Sequence, residues 1–150
     1  MVWDLFVTHA WRYHEDWIRV SELLDSQPGL KWRNFSVPWH DPAMDPNTDV
    51  GGRFVRDWLE TQIIPVTGVI LLSSLLERGS AKRWIQVEIG LARQYHKPIV
   101  GLPPQGQTSV PEDALELVDA VAAWTASGII GAFEDLKHRN DAQCAKANPQ

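Results

Sequence analysis

Glu88 is the residue in this chain whose type and position best fit a chemical task. It lies in the segment Ala81 to His96, where apolar residues recur at helical spacing. On a helical wheel at about 100° per residue with Trp84 at zero, Val87, Leu91, Tyr95, Ala92, Ile85, His96 and Ile89 form one continuous arc. Lys82, Arg83, Gln86, Arg93, Gln94 and Lys97 take the opposite arc. Glu88 does not join them. It falls near the middle of the apolar arc, at about 40° by the same arithmetic. An unpaired charge on a buried face costs several kcal/mol, so a partner pairs this carboxylate, its pKa rises, or it faces a pocket. The pattern leaves two readings open: a structural acid bonded to a buried amide or Arg, and a carboxylate held in a cleft for chemistry.

Other residues that bear chemistry gather at the ends of apolar runs. Trp3 to Thr8 ends in the polar pair Thr8-His9, and Val66 to Leu72 ends in Ser73-Ser74. His40-Asp41 and His14-Glu15-Asp16 resemble fragments of a metal site. Neither has a second cluster at ligand spacing, so no metal is expected. The chain has no GxGxxG and no GxxxxGK[ST] pattern. Gly51-Gly52 is a lone pair, which argues against a dinucleotide dehydrogenase or a P-loop enzyme. A Ser-His-Asp hydrolase would need a nucleophile elbow, which is missing. A phosphoacceptor receiver domain would need an Asp where Leu72-Ser73 stands.

The elements that must position these residues alternate. Trp3 to Thr8 reads as a buried strand, and about Arg12 to Ser26 as an amphipathic helix with Tyr13, Trp17, Val20 and Leu24 on one side. Pro28-Gly29 breaks it. Trp32 to Val37 reads as an edge strand, and Pro38 to Gly52 as a long functional loop. A helix is expected from about Arg53 to Ile63. Val66 to Leu72 lacks alternation, as a central parallel strand covered on both faces should. Ser80 is placed to cap the helix of Glu88. Pro98 to Leu102, a short helix opened by Pro111-Glu112, a weak strand Ala120 to Trp124 and a helix Gly128 to His138 complete the pattern. Residues 139–150 read as a loose polar tail behind one domain, 1–138. Strands alternating with helices mean βαβ units and a parallel sheet. Ligands of such sheets bind outside the carboxyl ends of the strands, where the strand order reverses. In a flavodoxin-like order that crevice lies between the Thr8-His9 end and the Ser73-Ser74 end.

Bulk properties narrow the function. The chain is 150 residues long, 44% hydrophobic and 22% charged, an ordinary balance for one globular domain. Its net charge of −5 gives no broad attraction to nucleic acid or to an anionic membrane. Its longest apolar stretch is too short to span a bilayer, and no signal peptide is visible at the N-terminus. Cys144 is the sole cysteine, so no intramolecular disulfide can form, and a cytoplasmic location is the simplest expectation. Most of the eight Trp residues are expected in the core or half-buried surface, with one or two free to stack on a flat ligand or partner.

Several motifs together resemble one family. Ser80-Ala81-Lys82-Arg83-Trp84-Ile85-Gln86-Val87-Glu88 resembles the TIR-domain signature, in which a Ser precedes a Trp and a Glu follows that Trp by four residues. Val69 to Ser73 resembles the TIR strand that ends in Ser, and Phe6 to Trp11 the opening strand and loop. THAWRYHEDW and SVPWHDP are similar to the bacterial TIR-like proteins of Thoeris anti-phage defence. TIR domains often carry Cys after the Trp, and here Ile85 stands there. The likeness runs over about residues 3–138.

The resemblance implies a flavodoxin-like TIR fold, a five-stranded parallel sheet with helices on both faces. It also implies an enzyme that cleaves the nicotinamide–ribose bond of NAD and makes an ADP-ribose-derived signal. NAD is then substrate, with no cofactor. Glu88 matches the essential carboxylate. Thr8, His9, Ala10, Trp11, Trp39, Asp41, Ser73 and Trp84 become candidate substrate contacts. The partners implied are other TIR copies, which stack on activation, and an effector that senses the product. Two alternatives remain: a TIR scaffold that only binds other TIR domains, and a nucleoside deoxyribosyltransferase-like enzyme, which also uses a Glu at an N-glycosidic bond.

Overall fold

A computed structural model of the chain describes residues 1–8, 15–36, 49–77 and 79–147. The elements run β1 (Trp3–Val7), α1 (Glu15–Asp25), β2 (Trp32–Asn34), α2 (Asp49–Ile63), β3 (Gly68–Leu72), α3 (Gly79–Gln94), β4 (Ile99–Leu102), α4 (Glu112–Leu115), β5 (Ala120–Val121) and α5 (Ala126–Ala147). A 3₁₀ turn, Ser73–Glu77, leads from β3 toward α3.

The strands make one sheet in the order β2-β1-β3-β4-β5, every pair parallel. The order reverses at β1, because the chain steps to β2 on one side and then returns to β3 on the other. Right-handed crossovers put α1 on one face of such a sheet and α2, α3 and α4 on the other. α2 packs against α3, in agreement with a shared face, and Phe133 of α5 meets Trp3 of β1 with ring centroids 6.0 Å apart. The sheet is the flavodoxin-like arrangement expected from the alternating elements. β3 is buried along its whole length, as its unbroken apolar run requires.

The core fills both faces. Val20 and Leu24 of α1, with Ile129 and Phe133 of α5, are buried, as are Val55, Leu59 and Ile63 of α2 and Ile85, Ile89 and Ala92 of α3. Gly68 permits the closest approach. A Cβ there would stand 2.3 Å from Phe133 Cε1, so only a residue without a side chain lets this ring lie against β3.

The boundaries differ from the sequence reading in instructive ways. α2 starts at Asp49 and not near Arg53, so Gly51 and Gly52 are helical. Each glycine is unfavourable by about 1 kcal/mol in a helix, which hides such a start from propensity. α3 begins at Gly79, so Ser80 lies inside the helix and is not the residue before it. α5 continues to Ala147, so residues 139–147 are helical where a loose tail was expected. Ala142, Gln143, Ala145 and Lys146 are strong helix formers, and they extend the helix without an apolar face to announce it.

α3 ends in a Schellman motif. Lys97 N donates to Ala92 O at 2.8 Å and His96 N to Arg93 O at 3.1 Å. His96 holds the left-handed position at φ 54°, where glycine is usual, so it is not the buried-arc residue that the wheel suggested. That conformation costs a residue with a Cβ roughly 1–2 kcal/mol.

Candidate active site

The carboxyl ends of β1 and β3 are stitched together. Thr8 N donates to Ile70 O at 2.9 Å, and Leu72 N donates to Thr8 Oγ1 at 3.1 Å. Thr8 is thus one hydrogen bond from the residue preceding Ser73, so both residues stand at neighbouring carboxyl ends beside the switch point, as the topology predicts. Both are buried. Ser73 Oγ donates to Leu102 O at 2.5 Å, tying β3 to β4. Each hydroxyl therefore holds a strand end in place.

A second network fixes the entrance to the segment after β2. Ser36 Oγ accepts from Val7 N at 3.0 Å and from Trp17 Nε1 at 3.1 Å, and donates to Asn34 Oδ1 at 2.5 Å. Asn34 Oδ1 also accepts from Ser36 N at 2.9 Å, a local turn of the kind that Asn makes with its own backbone. This fully buried hydroxyl joins β1, α1 and β2. Ser36→Ala removes one acceptor from two donors, and an unsatisfied buried donor costs about 1–3 kcal/mol. We expect a clear fall in melting temperature, while Ser36→Thr, which keeps the hydroxyl, loses less. A Ser36→Ala protein that melts with the wild type would contradict the network.

The rim carries a third cluster. Asp16 Oδ2 accepts from Ser74 Oγ at 2.5 Å, and Asp16 Oδ1 pairs with Arg19 Nη1 at 2.8 Å. Arg19 also reaches Gln105 Oε1. Asp16, noted in the sequence as a fragment of a metal site, instead clasps α1 to the turn after β3. Among the described residues no group of His, Cys, Asp and Glu is placed to hold a metal ion. The sequence singles out Asp16 and Ser74 separately but not their pairing, and it does not mark Ser36 as a hub. The spacing of Asn34 and Ser36 is the one local signal.

Glu88 sits on α3, which packs against α2 and the 3₁₀ turn. The wheel is confirmed around it. Trp84, Ile85, Ile89, Leu91 and Ala92 are buried, while Lys82, Arg83, Gln86, Arg93 and Gln94 are exposed. Glu88 itself is only 1% exposed, the one acidic residue among the buried polar groups of the described residues. Its Oε2 has no hydrogen-bond partner among the described residues. Burial pushes the carboxyl well above the usual carboxylate range. A structural acid is normally satisfied by the groups around it. This one holds an oxygen in reserve and favours its neutral form. Trp84, one turn before it, is also buried, with the Arg83 guanidinium 5.6 Å from its ring centroid.

Thr8, Ser73, Trp84 and Glu88 are therefore placed by the structure, the first two together. His9, Ala10, Trp11, Trp39 and Asp41 lie outside the described residues, as does most of the Pro38 to Gly52 segment.

A parallel sheet of this order, with buried hydroxyls at the ends of β1 and β3 and a buried carboxyl on α3 whose Oε2 has no partner among the described residues, defines a flavodoxin-like α/β domain with a candidate site. The family model described as Thoeris protein ThsB, TIR-like domain, matches residues 6–109, well over half of the chain, and the chain belongs to this TIR-like family. A comparison with curated proteins found no match. No described helix is long and apolar enough to cross a membrane.

Proposed function

We propose that this TIR-like domain cleaves the nicotinamide–ribose bond of NAD in anti-phage defence, with Glu88 as the catalytic carboxylate. The observation that carries the reading is the buried Glu88 carboxyl, whose Oε2 has no partner among the described residues. Breaking an N-glycosidic bond sends the bonding pair to nicotinamide, which leaves neutral without needing a proton. Positive charge then builds on the ribose, as in glycoside hydrolysis. A carboxylate beside the sugar stabilises that cation and orients its hydroxyls. Burial favours the neutral acid, and the cationic nicotinamide ring of NAD favours the ionised form, so substrate itself draws the proton off. Water, or an atom of the same nucleotide, takes the ribosyl group and releases a proton.

Thr8 and Ser73 shape the floor of this site, with Trp84 behind Glu88. A second copy of the domain completes the NAD site, and the product is passed to an effector that senses it. A pure scaffold offers no reason to bury an acid with one oxygen unpartnered among the described residues. A nucleoside deoxyribosyltransferase-like enzyme shares the bond chemistry but acts on deoxyribonucleosides.

Incubating the purified protein with NAD, with and without activation and over a range of dilution, tests the proposal. Nicotinamide and one ADP-ribosyl product should be identified by mass, with turnover per subunit falling on dilution. Intact NAD under every condition refutes the reading. Base exchange on deoxyribonucleosides with NAD untouched selects the transferase.

A further inference from the structure

A cavity of about 330 Å³ opens at the amino ends of the strands, on the opposite edge of the sheet from Thr8 and Ser73. Trp3, Tyr95 and Phe133 supply aromatic wall, and Lys97, Lys137 and His96 supply basic groups. Asp141 is the acid among the lining residues. Two lysines against one aspartate make the cavity locally basic in a chain of net charge −5. The size lies at the lower end of small-molecule sites, which are largely apolar with a few converging polar groups.

Three features show how the site is held. Gly68 lets the Phe133 ring close on β3, fixing one wall. The Schellman motif satisfies the last carbonyls of α3 internally, which blunts the negative helix end that would otherwise repel an anion. His96 occupies the left-handed position of that motif and places a side chain in the lining where glycine would place none. A strained non-glycine residue at a cavity wall points to use of its side chain. The Tyr95 phenol is pushed up by burial and by its hydrogen bond to Glu60, so it stays neutral and does not oppose an anion.

We propose that this cavity is a second binding site, for a small aromatic anion whose ring lies against Trp3 and Phe133 and whose charge pairs with Lys97 and Lys137. The site stands whether or not the domain cleaves NAD.

Benzoate, benzyl alcohol and benzylamine share a ring and differ in charge, so titrating each against the ¹⁵N-labelled full chain is the test. Benzoate should shift the Trp3 indole and the Thr67 and Lys97 amides at millimolar concentration, as expected for so small a ligand. Benzyl alcohol should bind severalfold more weakly, and benzylamine more weakly still. Lys97→Gln combined with Lys137→Gln should weaken benzoate about tenfold, the scale of a lost charge-assisted contact, and leave benzyl alcohol unchanged. A matching melting temperature confirms that the double variant is folded. If it does not fold, the benzyl alcohol and benzoate comparison on the wild type decides. Equal affinity for benzoate and benzyl alcohol, shifts confined to other residues, or no shift at all overturns the proposal.

Discussion

Replacing Glu88 with Gln should abolish NAD cleavage and leave the fold standing. The two side chains have nearly the same shape, so the packing of α3 survives. The amide cannot supply the negative charge that steadies a ribosyl cation, and such losses amount to roughly a thousandfold or more in rate. Stability should move the other way. Glu88 is buried with its pKa raised. Below the unfolded value near 4.5 the acid is neutral in both states and burial carries no ionisation penalty. As pH rises, the unfolded chain ionises first, and stability falls until the folded pKa is passed. The limiting slope is about 1.4 kcal/mol per pH unit for one group. Glu88→Gln removes this loss, so its melting temperature at neutral pH should equal or exceed that of the wild type. Turnover and melting measured on one sample decide the matter. A variant that consumes NAD at the wild-type rate removes Glu88 from the chemistry, and one that unfolds shows a structural acid instead.

Gly68→Ala should be the most damaging small change in the core. Its Cβ would meet Cε1, Cδ1 and Cζ of Phe133 at 2.3, 2.8 and 2.9 Å, so the ring or the strand must move. Phe133 is 1% exposed and packs against both Gly68 and the Trp3 ring, so moving it disturbs a second contact. Overpacking of this kind costs about 1–3 kcal/mol. Phe133→Leu, destabilising alone because it leaves a gap, should partly relieve the clash, so the double variant should lose less than the two single losses together. Urea unfolding of the four proteins gives the coupling directly. Additive losses would show that the contact does not limit this position.

The sheet and the central argument were legible because both rest on periodicity. β3 announced itself by an apolar run without alternation, and α3 by an arc that one acid interrupts. Short motifs around Trp84 and Glu88 then pointed to the family. Other features had no such signal. Gly51 and Gly52 disguise the first turn of α2, since local propensity is overridden by the helix around them. The extension of α5 past Arg139 is polar in sequence, so no apolar stripe marks it. The roles of Thr8 and Ser73 could be placed but not specified. A strand-end hydroxyl serves a ligand or a neighbouring strand equally well on paper, and the structure spends both on the sheet. Ser36 and Trp17 are 19 positions apart and Asp16 and Ser74 are 58 apart, separations that no local pattern records.

The two outer strands of the sheet are very short, three residues in β2 and two in β5. Arg33 lies midway along β2 with its side chain exposed and paired to Asp4. Such margins offer a neighbouring molecule few free amides and carbonyls, and a charge stands in the way. Copies of this chain therefore have little means of growing into a continuous ribbon by strand addition. Concentrated preparations should resist conversion to cross-β fibrils, and ordered polymers of the intact domain must be built from helix and loop faces, where contacts can be made and released without unpicking the sheet.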